Sequence, residues 1–195
     1  MTPLPAALGG SGLVAWRLER DRHLPTWDTA EGAFLVGGRW SSAGRRVLYT
    51  SLDPATTILE VAVHAGFDML DTVAHTLLAL NVDAAGVHVV QPSDIPNASW
   101  LRPGTVSRNQ QKFGDDLLDR HPLVVVPSVV STRSWNLLID VDGATGLFGL
   151  KDKEPLAHLR QSAGRAPEDR FDTVRGRADV PWRTDELMKL LRTED

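Results

Sequence analysis

The stretch RVLYTSLDPATTILEVAVHAG, residues 46–66, decides what kind of fold this chain adopts. Its β-prone beginning, residues 46–50, predicts a short strand. Asp53, a capping side chain, then stands just before Pro54, which is tolerated in the first turn of a helix. Apolar residues follow at helical spacing, and Gly66 is a good helix stop. The stretch therefore predicts a strand that leads directly into a helix.

Strands and helices are mixed on both sides of this unit. Further strands are predicted at 13–18, 72–82, 86–90, 124–128 (continuing to 130 past a kink at Pro127), 136–140 and, at an edge, 171–172. Helices are predicted at 105–120 and 182–191, and loops at 21–34 and at 93–103, where Trp100 anchors the loop in the core. The pattern weakens from residue 151. Because strands and helices do not alternate regularly, we expect an α+β fold with a mixed or antiparallel central sheet and flanking helices. We expect a single domain, residues 13–195, after a flexible lead of residues 1–12.

The composition excludes several classes of protein. A formal net charge of −4 argues against a nucleic-acid binder, although it does not exclude a local basic pocket. The absence of cysteine excludes disulfides, thiolate metal sites and a cysteine nucleophile. No apolar run reaches the ~18 residues that span a bilayer, and the N-terminal residues do not resemble a secretory signal. We therefore expect a cytoplasmic protein that does not bind a membrane.

Two arginines are candidates for gripping a phosphate. Arg39 directly follows Gly37 and Gly38, and a glycine pair lets the backbone approach a ligand closely. Its planar guanidinium suits a phosphate or pyrophosphate, but an arginine in a surface turn is the simpler interpretation. Arg17, in the first strand, is a second possible phosphate contact or an ordinary edge-strand arginine.

Three further side chains have both a functional and a structural interpretation. Tyr49, the only tyrosine, can stack on a flat ring or simply pack at the end of its strand. Glu60 lies four positions before His64, so the two share a helix face, where they can form part of a site or a weak surface pair. Ser128, after a strand that ends in proline, can present its hydroxyl at a sheet edge or cap a turn.

Well-known catalytic and binding signatures are missing. The chain contains no GxGxxG after a strand, no Walker A loop, no HExxH and no GxSxG. His64 and His75 are not at metal-ligand spacing, so we expect no metal site.

Taken together and in order, these segments resemble the RES-domain family, named after arginine, glutamate and serine. The likeness covers roughly residues 13–175. The motifs that carry it are Ala15-Trp16-Arg17, Gly37-Gly38-Arg39-Trp40, Leu48-Tyr49-Thr50-Ser51, Leu59-Glu60 with His64, Val126-Pro127-Ser128 and Asn136-Leu137-Leu138-Ile139.

The resemblance implies a fold, an activity and a partner. Members are toxins of bacterial toxin–antitoxin pairs, with a fold similar to ADP-ribosyltransferases of the diphtheria-toxin kind, and they act on NAD+. Their antitoxins are small proteins with a helix-turn-helix DNA-binding part and a tail that blocks the toxin pocket. By this resemblance Arg39, Tyr49 and Glu60 are the catalytic residues. By the same resemblance, the residues expected to bind NAD+ are Arg17, Arg39, Tyr49 and Ser128.

The resemblance leaves the acceptor of the ADP-ribose open. Water would make the protein an NAD+ glycohydrolase, phosphate a phosphorylase, and a side chain of a host protein an ADP-ribosyltransferase. A non-catalytic module that binds a nucleotide or a partner protein is the alternative from another class. The two classes differ in whether Arg39, Tyr49 and Glu60 converge on one pocket.

Overall fold

The computed structural model describes residues 12–101, 106–131 and 133–156. Within them lies one sheet of seven strands in the order β4-β5-β6-β2-β1-β3-β7. The strands are β1 (Leu13–Arg20), β2 (Val47–Ser51), β3 (His75–Val82), β4 (His88–Val89), β5 (Leu123–Pro127), β6 (Trp135–Asp140) and β7 (Phe148–Pro155). All neighbours are antiparallel except β4 and β5, which are parallel. The mixed sheet confirms the predicted α+β class.

Four α-helices accompany the sheet in the described residues. They are α1 (Glu31–Val36), α2 (Pro54–Ala65), α3 (Phe67–Thr72) and α4 (Arg108–Leu118). Short 3-10 helices occupy Asp21–Thr26, Ala84–Gly86 and Pro92–Asp94. None of these helices has the length and apolar character that crossing a membrane requires.

Helix α2 begins and ends as residues 46–66 predict. The Asp53 carboxylate accepts hydrogen bonds from the Thr56 amide at 2.7 Å and from the Thr56 hydroxyl at 2.6 Å. These bonds satisfy a donor that the first turn would otherwise leave unpaired. Gly66 has a φ of +88°, a left-handed conformation that favours glycine and ends the helix. Because these signals are local, the bounds of the helix follow from the residues at its two ends.

Side chains alternate between the two faces of the sheet, and each face has its own core. Leu137 and Ile139 belong to a large cluster on one face. Leu138 lies on the other face, in a cluster with residues of α4 such as Leu117. A third cluster joins the sheet to α2 and α3 through Leu18 and other apolar residues. Helices α2 and α4 therefore pack on the same face of the sheet, each against its own cluster.

The sheet is nearly divided between β1 and β2. Among the strand pairs of the described chain this ladder is the shortest, with Trp16 opposite Ser51 and no further residue pair. By contrast, β1 pairs with β3 over its full length. Beyond Trp16 the two strands separate, and the separation leaves a cleft inside the sheet.

Several predicted elements need correction. The predicted loop at 21–34 is half helical, because it contains a 3-10 turn and α1. The strand predicted from residue 72 begins at His75, since residues 67–72 form α3. The strand predicted at 86–90 shrinks to His88–Val89.

The second half of the chain also differs in part. Residues 129–130 do not continue β5, because the Ser128 hydroxyl accepts the amide of Val130 and bends the chain. No strand was predicted where the pattern weakens from residue 151, but Phe148–Pro155 forms β7. Trp100 is buried as expected. The strand predicted at 171–172 and the helix predicted at 182–191 lie outside the described residues.

Candidate active site

A cavity of about 420 Å³ opens where β1 and β2 separate. Four of the predicted site residues line it: Arg17, Arg39, Tyr49 and Glu60. Its volume lies within the ~300–1,000 Å³ that is usual for small-molecule sites. The cavity therefore brings together side chains from four elements, β1, the loop of residues 37–42, β2 and α2, as the enzymatic interpretation requires.

Glu60 is held by two side chains from other elements. Its Oε1 accepts a hydrogen bond from the Asn136 amide at 2.6 Å and one from the Ser128 hydroxyl at 2.9 Å. The Glu60 side chain is 19% exposed. Helix α2 thus delivers a largely buried carboxylate to the cavity, and two donors satisfy one of its oxygens.

Ser128 lies behind Glu60 and is fully buried. Its Oγ accepts hydrogen bonds from the backbone amides of Val130 and Ser131, both at 3.2 Å. Because those bonds use the oxygen as an acceptor, its single hydrogen is directed to Glu60. The structure therefore brings Ser128 to the site through Glu60, while the ring of cavity-lining residues does not include it.

His64 lies one turn after Glu60 at the mouth of the cavity. Its Nδ1 lies 2.7 Å from the Glu60 carbonyl oxygen and 3.8 Å from Glu60 Oε2. A carbonyl oxygen only accepts, so Nδ1 carries the ring proton. The predicted pairing of these two residues on one helix face is confirmed.

Arg39 lines a second wall of the cavity, which is formed by the loop of residues 37–42. Its NH1 donates a hydrogen bond to the Trp100 carbonyl at 3.0 Å. Within the part of the chain that the structure describes, Arg39 takes part in none of the ion pairs. Its charge is therefore left for a ligand in the cavity.

Helix α4 braces the loop that carries Arg39. The Gln111 amide donates to the Gly38 carbonyl at 2.9 Å, and the Ser42 amide donates to Asp115 Oδ1 at 3.1 Å. A Cβ on Gly114 would lie 2.0 Å from the Trp40 carbonyl oxygen, so the helix backbone touches the loop backbone. The loop is thus fixed at its backbone, and the Arg39 side chain extends from it.

Tyr49 joins this loop to β2. Its hydroxyl accepts a hydrogen bond from the Trp40 amide at 3.1 Å and lies 2.9 Å from the Ser41 hydroxyl. A Cβ on Gly38 would lie 2.3 Å from the Tyr49 hydroxyl oxygen, so only glycine fits there. Burial raises the pKa of Tyr49, against the opposing effect of its hydrogen bonds. The phenol therefore stays protonated at neutral pH.

Arg17 differs from Arg39 because its charge is already compensated. Its Nε and NH2 donate to Glu19 Oε2 at 2.9 and 2.6 Å, and its NH1 donates to the Tyr49 carbonyl at 3.1 Å. The last bond crosses the gap between β1 and β2. Arg17 therefore has a structural task in addition to lining the cavity.

The sequence interpretation missed two residues that shape the site. Asn136 lines the cavity and contacts Glu60, and Ser51 contacts Asn136. Both lie within the motifs quoted for the family resemblance, but their residue types alone carry no catalytic signal. One sequence feature could have indicated a role for Asn136. It is a polar residue at the start of an otherwise apolar run, Asn136-Leu137-Leu138-Ile139.

The fold and the cavity define an α+β domain with a charged small-molecule cleft inside its sheet. The chain belongs to the RES domain family, whose model matches residues 14–160. The family resemblance inferred from the sequence is thereby confirmed.

Characterised relatives carry toxin names. The chain is 27% identical over 130 residues to "Toxin Res" of Photorhabdus laumondii, covering 66% of this chain and 81% of the relative. It is 29% identical over 132 residues to "Prs ADP-ribosylating toxin" of Sphingobium sp. strain YBL2, covering 64% and 80%. Homologues of this chain are thus toxins, and one is named for ADP-ribosylation.

A solved structure shares the fold. The crystal structure of the M. tuberculosis MbcT–MbcA toxin–antitoxin complex matches with a TM-score of 0.55 at 19% identity. The match covers 75% of this chain and 85% of the other. At this identity the likeness concerns the fold alone.

Proposed function

We propose that this protein is the toxin of a toxin–antitoxin pair and an enzyme that uses NAD+ as an ADP-ribose donor. The names of its homologues support the toxin class. The observation that carries the enzymatic part is the convergence of Arg17, Arg39, Tyr49 and Glu60 on one cavity. The braced carboxylate of Glu60 shares this cavity with a guanidinium that has no ion pair among the described residues, and this combination favours an enzyme over a non-catalytic binding module.

The reaction breaks the bond between nicotinamide and ribose. Nicotinamide leaves with the bonding electron pair as a neutral molecule, and the ribose C1 becomes a cation of oxocarbenium character, as in glycoside hydrolysis. Fixed negative charge beside that carbon stabilises the transition state. Glu60 supplies it through Oε2, since both hydrogen bonds from Asn136 and Ser128 go to Oε1.

The remaining residues hold the donor. Arg39 grips the pyrophosphate, because its guanidinium offers free donors in a planar fork. Arg17 assists from β1, although Glu19 compensates much of its charge. The Tyr49 ring stacks on the nicotinamide. Ser128 contributes by orienting Glu60, which fits its burial better than direct contact with the ribose.

We propose a protein side chain as the acceptor of the ADP-ribose. This choice is supported by a relative that is named an ADP-ribosylating toxin. Water and phosphate are the competing acceptors, and all three need the same grip on the donor. Mass spectrometry of products formed with phosphate and with cell lysate separates them. A mass increase of one ADP-ribose on a lysate protein selects the transferase, whereas free ADP-ribose or its 1-phosphate selects water or phosphate.

The proposed partner is an antitoxin with a helix-turn-helix DNA-binding part, acting in the cytoplasm. The toxin–antitoxin complex with the same fold supports such a partner. The exposed side chain of Val36 lines the cavity, and its neighbour Leu35 on α1 and Val63 on α2 are exposed as well. Adjacent exposed apolar residues such as Leu35 and Val36 suit a protein-binding surface.

Glu60→Gln tests the enzymatic proposal. Glutamine keeps an oxygen to accept the bonds from Asn136 and Ser128 but removes the charge. We expect a melting temperature near that of the wild type and a loss of NAD+ consumption by about 10²–10³-fold, the usual cost of removing one transition-state contact. The matched control is Glu154→Gln, an exposed position on β7 that should leave the rate unchanged. Full activity in a folded Glu60→Gln protein would exclude this role.

A further inference from the structure

We propose that Asn136 is a positioning residue for the catalytic carboxylate: it fixes Glu60 so that Oε2 faces the cleft, and Ser51 in turn fixes the Asn136 amide. The inference rests on the proposed function in assigning the reaction to Glu60. It assigns a role to Asn136 and Ser51, which neither a catalytic motif nor their residue type identifies as functional.

A chain of hydrogen bonds runs from β2 through β6 to α2. The Ser51 hydroxyl donates to Asn136 Oδ1 at 2.8 Å, and Asn136 Nδ2 donates to Glu60 Oε1 at 2.6 Å. An ionised carboxylate only accepts, so the nitrogen of the amide must face Glu60. The amide oxygen then faces Ser51, which is 3% exposed and has a hydrogen to donate. The orientation of the amide is therefore determined at both ends.

The strand register explains why these residues meet. Ser51 lies opposite Asn136 in the β2–β6 ladder and opposite Trp16 in the β1–β2 ladder. Side chains of directly opposed residues lie on the same face of the sheet. Asn136 is thus placed at the closed end of the cleft, where β1 and β2 still touch, and the sheet itself sets its position.

The second donor on Glu60 makes the arrangement specific for one oxygen. Asn136 and Ser128 both donate to Oε1, which has two lone pairs and is then saturated. Among the described residues, His64 Nδ1 lies 3.8 Å from Oε2, beyond hydrogen-bond range. The carboxylate therefore presents Oε2, in a fixed rotamer, to whatever fills the cleft.

The inference separates catalysis from binding. Loss of the Asn136 donor leaves the arginines and Tyr49 in place, so the KM for NAD+ should change little. The Glu60 carboxylate then keeps only the hydrogen bond from Ser128 and is held less firmly, and misplacement of a catalytic group by about 1 Å can cost on the order of 100-fold in rate. The effect should therefore appear in kcat.

Asn136→Asp is the decisive variant, because it keeps the shape and replaces the donor by a second carboxylate. Asn136 Nδ2 lies 2.6 Å from Glu60 Oε1, so a carboxylate in its place repels Glu60, and the pair takes up a proton at higher pH than Glu60 does beside the amide. The acid limb of the kcat profile should move to higher pH. The charged or titratable groups that share the cavity with Glu60 are Arg17, Arg39, Tyr49 and His64, and none of them is altered.

The experiment compares Asn136→Asp with three other variants. Asn136→Ala should lower kcat by about 10- to 100-fold without the shift in pH. Ser51→Ala should do the same to a smaller extent, and Ser51→Thr, which keeps the hydroxyl, should restore the rate. Asn81→Asp, at an exposed position of β3, is the matched control for the added charge.

A spectroscopic measurement makes the test independent of turnover. Carbon-13 NMR of the Glu60 side-chain carboxyl should show a titration midpoint at higher pH in Asn136→Asp than in the wild type. A wild-type pH profile and an unchanged midpoint in Asn136→Asp overturn the inference. If this variant does not fold, unchanged kcat in folded Ser51→Ala overturns it. A wild type that does not consume NAD+ removes the proposed function alone, because the NMR midpoint still decides whether Asn136 controls Glu60.

Discussion

The two walls of the cleft hold their charged residues in different ways. On one wall Glu60 is carried by a capped helix and receives two side-chain hydrogen bonds, one from β6 and one from the turn after β5. On the other wall Arg39 extends from a loop, and its side chain donates to a single backbone carbonyl. The loop backbone is braced by α4, so on this wall it is the arginine side chain that is held by few contacts.

The difference matches what each charge must do. A carboxylate that stabilises a transition state has to stand at a fixed place relative to one carbon atom. A guanidinium that holds a flexible pyrophosphate gains by adjusting to it. Regular elements therefore carry the chemical group, and a side chain on a loop carries the binding group. The predictions below test this division.

Among the predictions that follow, the largest effect, though smaller than that of Glu60→Gln, is expected for Arg39→Ala. A hydrogen bond to a charged group contributes about 1.5–3 kcal/mol, so kcat/KM for NAD+ should fall about 10- to 150-fold. The loss should lie mainly in KM, and the melting temperature should change little because Arg39 has no ion pair in the described ranges. Steady-state kinetics and a thermal melt measure both quantities.

Arg39→Lys refines this result, since a lysine keeps the charge and loses the planar fork. It should fall between the wild type and Arg39→Ala. Arg22→Ala, at an exposed position outside the cavity, is the control. A loss that lies wholly in kcat would contradict the division between the walls.

Tyr49→Phe should have a smaller effect, and mainly on stability. The change leaves the Trp40 amide without its partner and removes a contact with Ser41, at a cost of about 1 kcal/mol. The ring that stacks on nicotinamide is kept, so the rate of NAD+ consumption should stay within a few-fold of the wild type. Chemical denaturation and kinetics together decide.

Tyr49→Leu separates the two tasks further. It removes the ring as well, so it should lose activity beyond what its stability change explains. Equal rates for the phenylalanine and leucine variants would show that the ring does not contact the donor.

The smallest effect is expected outside both walls, at His88. Its ring stacks on His121 with centroids 4.3 Å apart, and burial, with help from His121 and Arg120, lowers the pKa of His88. The unfolded chain then binds a proton more readily than the folded one. Stability is therefore complete above the ordinary value of about 6.5 and declines as pH falls through it.

His88→Gln should weaken this decline and leave NAD+ consumption unchanged. Urea denaturation at several pH values between about 7 and 5 measures the slope. Identical slopes for the variant and the wild type would count against the assignment. A change in NAD+ consumption would mean that the two walls of the cleft are coupled to β4, at the edge of the sheet.

Local signals explain which parts of the fold were predictable. The strand and helix of residues 46–66 are predictable from a cap, a proline and a glycine that are close in sequence. Strand β7 has no such signal, because it is an exposed edge strand of mixed charge, FGLKDKEP, that needs only β3 as a neighbour. Helix α1 is short and lacks a side-chain cap.

The site divides along the same line. Residue types and order indicated Arg39, Tyr49 and Glu60, which the structure brings to one cavity. The support beneath Glu60 was not predictable, since Asn136 lies 76 positions from Glu60 and 85 from Ser51. Contacts over such separations follow from strand register, which a single sequence does not specify.

The single residue pair between β1 and β2 has a thermodynamic consequence. A ligand that contacts both strands supplies the cohesion that the missing ladder would have given. By mass action, a ligand at 100 times its Kd adds about 2.7 kcal/mol to the free energy of unfolding. Occupancy of the cleft and integrity of the sheet are therefore linked. Slower hydrogen exchange of the β1 and β2 amides should report a bound donor before any product is formed.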